Sequence, residues 1–307
     1  MATAIDLFAG LGGFTEAARI SGVEVVWAAN HWPVAVEFHR ANHPDVTHAC
    51  QDLHQMNWHH VHPHDVLLAS PACQGHSRAR GKDRPHHDET RSTAWAVVSC
   101  AEVHRPTLAI IENVPDFLRW SLYPAWKLAM ETLGYAVSPH VVDCADLGTP
   151  QNRIRVFIIC SRSGSNTPLM LTLPKRLHRP VAGIIEWDQH VWRAIERKGR
   201  SRATLARIAR GRRDHGERFV MPYYGNGSGL TGRCLTRPLG TVTTRDRWAV
   251  VAGDLMRMLQ PSEYRRAMSF PDHYHLPKTK KTAVHLLGNA VPPVAAAEVI
   301  QAALRAI

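Results

Sequence analysis

The first 160 residues alternate between short apolar runs and stretches of helical spacing, and this alternation constrains the fold more than any other feature. Residues 3–8, 24–29, 46–49, 65–69 and 107–111 read as strands, and 14–20, 33–42, 93–104 and 122–133 as helices. Two further strands are predicted over 135–142 and 154–160. Strands that alternate with helices build a doubly wound, mostly parallel α/β sheet. Open sheets of this kind bind ligands at the C-terminal edge of their strands. The residues just past each strand are therefore the candidates for chemistry.

Past the first strand comes Ala9-Gly10-Leu11-Gly12-Gly13, a glycine-rich turn that opens a helix. Glycines let the backbone approach a ligand closely, and a helix N-terminus offers free N–H groups. The spacing is not G-x-G-x-x-G, so it does not announce a dinucleotide, and a plain tight turn remains the alternative. Asn30-His31 follows the second strand and Asp52-Leu53 the third, positions from which such folds grip a ribose and an adenine. The fourth strand delivers Pro71-Ala72-Cys73-Gln74, a thiol in a turn behind a stiffening proline. That thiol is either a small buried residue or a nucleophile. The fifth strand ends in Glu112-Asn113-Val114, which brings a carboxylate to the same edge. Arg153 and Arg155 are two apart, so an extended chain points both to one face, suited to a phosphate or a carbonyl oxygen. Residues 78–90 are polar and read as a loop able to close over a substrate.

Charge distribution adds a second constraint. The formal charge is +11. Residues 162–233 hold fifteen Lys and Arg against five Asp and Glu, which leaves the rest nearly neutral. A basic segment beside a neutral scaffold fits a polyanion, with nucleic acid the first candidate and a solvated basic surface the alternative. Here the strand–helix alternation stops. The segment is aromatic and glycine-rich, with Trp187, Trp192, Tyr223, Tyr224 and glycines at 225–229, and 191–211 can form a basic helix. Three domains are expected: a catalytic and cofactor-binding part over 1–161, a small irregular recognition domain over 162–236, and a return segment over 237–307. The last apolar helix, 294–304, is expected to pack back on the first part.

Several classes are disfavoured. Six cysteines lie far apart at 50, 73, 100, 144, 160 and 234 with no C-x-x-C pair, against a zinc ribbon or a disulfide framework. His59, His60, His62 and His64 share a loop with no obvious ligand cage, so no metal is expected. No apolar run of 18 residues exists and the N-terminus lacks a basic leader, which points to a cytoplasmic protein without a membrane partner.

Taken together these motifs resemble the cytosine-5 methyltransferases of the bacterial DNA type, in order and over nearly the whole length. Asp6-Leu7-Phe8-Ala9-Gly10-Leu11-Gly12-Gly13-Phe14 is similar to the family's cofactor loop, and Pro71-Ala72-Cys73-Gln74 to its Pro-Cys motif. Glu112-Asn113-Val114 and Gln151-Asn152-Arg153-Ile154-Arg155 resemble the next two blocks. Arg237-Pro238 with Thr241-Val242, and Gly288-Asn289-Ala290-Val291-Pro292-Pro293, resemble the last two.

The resemblance implies a Rossmann-like methyltransferase that uses S-adenosylmethionine and flips a cytosine out of double-stranded DNA, as a monomer, in a restriction–modification setting. It implies catalytic roles for Cys73, Glu112, Arg153 and Arg155. Phe8, Gly10, Gly12 and Gly13 would line the methionine end of the cofactor, and Asp52 would meet the adenine. Ala9, Leu11, Asn30, His31, Leu53 and Pro71 join the implied cofactor set, which Asn289 and Val291 complete. Asn30-His31 stands where the family often has an acid, Ala72 where a second proline is common, and His76 where an aromatic is frequent. The rival readings are a tRNA cytosine methyltransferase, a catalytically silent DNA-binding relative, and a cysteine hydrolase with a histidine base.

Overall fold

The computed structural model describes residues 1–71, 92–162, 164, 167–223 and 232–307. Ala72, Cys73, Gln74, His76, the whole 78–90 loop, Tyr224 and the glycines at 225–229 lie outside the described residues. The chain forms two compact units. One comprises Met1–Leu147, Ile154–Lys175 and Ala290–Ile307, the other Gly148–Arg153 and Arg176–Asn289.

The first unit is built on a seven-stranded sheet of β1 (Thr3–Leu7), β2 (Glu24–Asn30), β3 (Thr47–Cys50), β4 (Val66–Ala69), β5 (Leu108–Asn113), β6 (Ala136–Asp143) and β7 (Ile154–Ser161), in the order β3-β2-β1-β4-β5-β7-β6. The first five strands run parallel. β7 is antiparallel to both β5 and β6. The order reverses between β1 and β4, the switch point where open α/β sheets bind ligands.

The strand residues sort by alternation. Ile5, Leu7, Leu67, Ala69, Ala109 and Ile111 face one core layer, with α3 (Trp95–His104) and Trp126 of α4 (Tyr123–Thr132). Ala4, Val66, Leu68, Leu108 and Ile110 face the other, with Phe14, Ala17 and Ala18 of α1 (Gly13–Ile20) and the alanine-rich face of α8 (Pro293–Ala306). Because β4 and β5 are covered on both sides, they read as unbroken apolar runs. The C-terminal helix packs on α1 as expected.

The second unit holds a five-stranded sheet in the order β10-β9-β11-β12-β8. Its strands are β8 (Arg193–Ala194), β9 (Arg218–Pro222), β10 (Arg233–Cys234), β11 (Trp248–Ala252) and β12 (Leu255–Met258). The basic segment is therefore less irregular than expected. It also does not end at 236: β11 and β12 pair with β9 and β8, so residues 237–289 fold with it and only 290–307 belong to the first unit. The predicted helix over 191–211 is displaced to α5 (Arg202–His215). Arg193–Ala194 is drawn into the sheet, Gly199 takes a left-handed φ of 85°, and the Ser201 hydroxyl caps the helix by accepting the Thr204 N–H at 3.2 Å. α6 (Pro261–Ala267) and α7 (Lys280–Asn289) complete this unit. By length and composition the stretch Lys280–Ala306 could cross a membrane, but most of it is buried within the protein and it is broken ahead of Pro292.

Candidate active site

The loop after β1 is shaped by three left-handed residues, Phe8 at φ 60°, Gly10 at 55° and Gly12 at 95°. It is pinned to the neighbouring strands. Ala9 N–H donates to the Ala29 carbonyl at 3.0 Å, and the Ser70 hydroxyl donates to the Phe8 carbonyl at 3.2 Å. Gly12 N–H closes the turn on the Ala9 carbonyl at 2.8 Å. Left-handed glycines leave bare backbone at the switch point, where an approaching ligand meets little steric bulk. Leu11 is fully buried, so its side chain serves the core. Gly13 has a different reason to be glycine: a Cβ there would lie 2.0 Å from the Val291 carbonyl oxygen. These two residues pack backbone to backbone, and Val291 contributes its side chain to the core.

Past β2, Asn30 is buried and its side-chain oxygen accepts the Trp32 N–H at 3.0 Å. That oxygen shapes the entry to α2 (Pro33–Asn42), while His31 is exposed beside it. Past β3, Asp52 is exposed and one carboxylate oxygen caps the turn at Leu53–Gln55 through the His54 N–H at 3.0 Å. Leu53 is a core residue at 2% exposure, so its side chain is not available to a cofactor.

At the end of β5 the carboxylate meets the arginine of β7. Glu112 is the fifth residue of β5, 7% exposed, and its Oε1 lies 2.8 Å from Nε of Arg155 on β7. Antiparallel pairing of β5 with β7 creates this contact, since Glu112 is opposite Phe157 and Asn113 opposite Val156. Next to it, the Asn113 amide donates to the Pro71 carbonyl at 3.2 Å, tying the end of β5 to the end of β4 two residues before Cys73 in sequence. Cys73 itself is among the residues not described. The positioning role of Asn113 was not foreseen; the Glu-Asn-Val block held the signal, but the partner is a main-chain oxygen that no pattern reveals.

Arg153 requires a correction. Arg153 precedes β7, so the spacing within one strand that was expected to point it with Arg155 does not apply. It is 2% exposed, with one terminal nitrogen 2.9 Å from the Val242 carbonyl and the other 2.9 Å from the Gly288 carbonyl. Gln151 works alongside it, accepting the Val242 N–H at 2.7 Å and donating to the Ala267 carbonyl at 3.2 Å. The arginine block, the Thr-Val block and the closing motif are thus stitched together by buried side chains. Asn289, also in the second unit, is exposed at the end of α7 with its amide 3.3 Å from His285 Nε2.

The second unit also carries a cavity of about 500 Å³ lined by Arg193, Arg197, Arg200, Arg257, His190 and Tyr223, among others. Arg200 is held by the Tyr223 hydroxyl at 3.1 Å and the Ile195 carbonyl at 3.0 Å. Arg257 is buried against Glu263 at 2.7 Å. Arg193 and Arg197 are exposed. Among the described residues no group of three or more His, Cys, Asp or Glu could hold a metal ion. In the histidine loop His59, His60 and His62 are exposed, and His64 is buried with Nδ1 bonded to the His62 carbonyl at 2.9 Å.

Comparison with known proteins agrees with this layout. The profile of the C-5 cytosine-specific DNA methylase family matches residues 2–186 and 189–305. The Type II methyltransferase M.HhaI of Haemophilus parahaemolyticus is 28% identical over 303 residues, covering 94% of this chain and 89% of its own. M.DsaV of Dactylococcopsis salina, another Type II methyltransferase, is 26% identical over 302 residues, covering 94% and 82%. Among solved structures, a mutant of Spodoptera frugiperda DNMT2 superposes with a TM-score of 0.75 at 18% identity, covering 99% of this chain and all of that one, a likeness of fold. The order of motifs, the doubly wound sheet and the full-length family match lead to one conclusion: the chain belongs to the C-5 cytosine-specific DNA methylase family.

Proposed function

We propose that this chain transfers a methyl group from S-adenosylmethionine to C5 of a cytosine flipped out of duplex DNA, through a covalent adduct with Cys73. The observation that carries the reading is the Glu112–Arg155 pair at 2.8 Å beside the Asn113–Pro71 tie. It supplies an acid and a cation at the strand edge that leads into Cys73.

C5 of cytosine is a weak nucleophile, and addition at C6 makes it an enamine carbon. Cys73 Sγ forms the bond to C6. Glu112 hydrogen-bonds or protonates N3 and so draws electron density into the ring. Arg155 holds the base carbonyl and orients Glu112. After C5 has been methylated its proton passes to solvent water, the Sγ–C6 bond breaks to restore the C5–C6 double bond and the thiolate, and N3 returns its proton to Glu112. Extruding the base from the stack costs a few kcal/mol, roughly, which contacts in the closed site offset.

The residues fit the cofactor at the β1–β4 switch point. The left-handed backbone at Gly10 and Gly12 leaves room for close approach, and Asp52 keeps an exposed carboxylate past β3. Phe8, Ala9, Gly10 and Gly12 would hold the methionine end, and Asp52 the adenosine end. When bound, S-adenosylmethionine supplies an electrophilic methyl on a sulfonium. Asn30 lends its oxygen to a turn, which leaves exposed His31 as the polar group past β2. The second unit, with its basic helix and arginine-lined cavity, is the part that engages the DNA backbone. The working place is the cytoplasm, on chromosomal or foreign DNA.

The test uses methyl-labelled S-adenosylmethionine with bacterial DNA and, separately, tRNA, and Cys73→Ala as control. Label at C5 of cytosine in DNA, absent with Cys73→Ala, is the expected result. Label confined to tRNA, or DNA binding without label, overturns the reading.

A further inference from the structure

Behind the glycine loop lies a line of four polar side chains that the reaction leaves unused. Asp6 on β1 is fully buried. Its Oδ2 accepts the Thr15 hydroxyl at 2.8 Å and the Thr15 N–H at 3.2 Å. Thr15 Oγ1 is 3.0 Å from His39 Nε2, and His39 Nδ1 is 2.8 Å from His48 Nε2. With Asp6 ionised and the histidines neutral, proton counting sets the direction of the chain. The Thr15 hydroxyl has one hydrogen and gives it to Asp6, so it must accept from His39 Nε2–H. His39 is then neutral, and its bare Nδ1 accepts from His48 Nε2–H. Donation runs from half-buried His48 through His39 and Thr15 to Asp6. The other carboxylate oxygen, Asp6 Oδ1, is buried with no hydrogen-bond partner among the described residues.

Thr15 is the third residue of α1, whose cap is Gly12, and Asp6 precedes Leu7-Phe8 on the strand that enters the loop. We propose that His39 is a positioning residue for the cofactor end of the site, acting through Thr15 to keep Asp6 an acceptor behind the loop from Phe8 to Gly13, and thereby setting the pH range over which a cationic methyl donor binds. The inference rests on the cofactor reading above.

The surroundings support it. Burial, offset in part by the Thr15 bonds, raises the Asp6 carboxyl to about 7. Burial, with His43 and His48 adding to it, holds His39 well below the usual histidine range, as the neutral form in the chain requires. The other charged groups facing this line are few. Glu16 on α1 is ion-paired with Arg19 at 2.6 Å. His43, just past α2, lies 4.9 Å from the His39 ring and is pushed down to about 4, chiefly by burial. His48 on β3 is lowered by burial and then by Arg40 on α2. Near neutrality the three histidines are uncharged, and Asp6 is the member of the line that titrates. A ligand with net positive charge favours the Asp6 carboxylate, so binding releases a proton and tightens as pH rises. For one acid near 7 the gain between pH 6 and pH 8 is about tenfold.

The experiment is calorimetric titration of the full-length chain with S-adenosylmethionine at pH 6, 7 and 8, beside thermal melts. Wild type is expected to bind about tenfold more tightly at pH 8 than at pH 6. Thr15→Val, which keeps the side-chain shape, and His39→Ala are expected to move the midpoint of this dependence upward and weaken binding severalfold at pH 7. His39→Gln, whose amide donates to Thr15 and whose oxygen accepts from His48, is expected to keep the wild-type midpoint. A packing role for His39 lowers the melting temperature of His39→Ala but leaves the midpoint in place, and that result overturns the proposal. So does a flat wild-type pH dependence. If His39→Ala does not fold, Thr15→Val decides: a wild-type midpoint there is equally fatal. A wild-type chain that binds no S-adenosylmethionine at any pH overturns the cofactor reading itself.

Discussion

Gly13 and Val291, 278 positions apart in sequence, meet so closely that a single added carbon on Gly13 would sit 2.0 Å from the Val291 carbonyl oxygen. The glycine at the head of α1 is therefore a docking surface for the chain entering the last helix. Gly13→Ala separates two effects. Helix propensity favours alanine by about 1 kcal/mol. The clash is with backbone, which cannot rotate away, and overpacking of this kind costs about 1–3 kcal/mol or more. The clash wins, so we expect Gly13→Ala to lose about 2 kcal/mol in urea denaturation. A stabilised variant would show that the two segments separate easily.

The Glu112–Arg155 pair predicts an asymmetry between its two members. Glu112→Gln keeps the shape and the hydrogen-bonding capacity but removes the acid. Methyl transfer should fall by about 10²–10⁴-fold, with a melting temperature close to that of wild type. Arg155→Met instead leaves a 7%-exposed carboxylate without this cation. That variant should lose about 3 kcal/mol of stability as well as activity. Parallel melts and single-turnover assays on both variants check the pattern, and equal stability losses would contradict it.

Arg153 should behave as a structural residue. Its two terminal nitrogens satisfy the Val242 and Gly288 carbonyls. Arg153→Leu strands both acceptors, at about 1–3 kcal/mol each. We expect a large loss of stability, with methyl transfer per folded molecule within about tenfold of wild type when assayed in the cold. Urea titration followed by an assay normalised to folded protein tests this. A stable but inactive Arg153→Leu would restore a direct role in chemistry.

Why the sequence revealed some of this and hid the rest follows from the range of the interactions. The parallel strands were legible because β4 and β5 are buried on both faces and α2 starts at a proline, all local signals. Glu112 was legible because it closes an apolar run. The clamp by Arg153 was not, because its partners are main-chain oxygens 89 and 135 positions away. The spacing of Arg153 and Arg155 suggested one face, yet the extended strand begins only at Ile154. The recognition segment looked irregular because β8 and β10 are two residues long, too short to leave an alternating pattern. Leu11 and Leu53 sit among loop residues in sequence, and only packing reveals that their side chains belong to the core.

Buried histidines predict sensitivity to mild acid. His64 and His43 are each pushed from 6.5 down to about 4, in both cases chiefly by burial. Between those values the unfolded chain binds protons that the folded chain refuses. Stability is thus complete above pH 6.5 and lost as pH falls toward 4, by roughly 3 kcal/mol per histidine. His64→Phe removes one such group beside the His104 ring, 4.8 Å away. Urea denaturation at pH 7, 5.5 and 4.5 should show a shallower decline for His64→Phe than for wild type. Identical slopes would mean that His64 takes up its proton without opening the fold.

The arginine-lined cavity of the second unit predicts how DNA affinity responds to salt. Arg200 and Arg257 are committed to internal partners, whereas Arg193 and Arg197 are exposed at the same cavity. A guanidinium that contacts a phosphate releases about one condensed counterion, so each contact adds about 0.9 to the slope of log affinity against log salt. Arg193→Gln with Arg197→Gln should therefore lower that slope by about 2 and weaken binding similarly on all sequences. Loss of affinity for one sequence only would make these residues base readers rather than backbone contacts. Cofactor affinity should stay at the wild-type value, because neither residue belongs to the glycine loop or to the ends of β1 and β4. Filter binding between 50 and 200 mM salt, with calorimetry for the cofactor, measures both. An unchanged salt slope would remove the cavity from the DNA path and leave the exposed arginines of α5 to carry it.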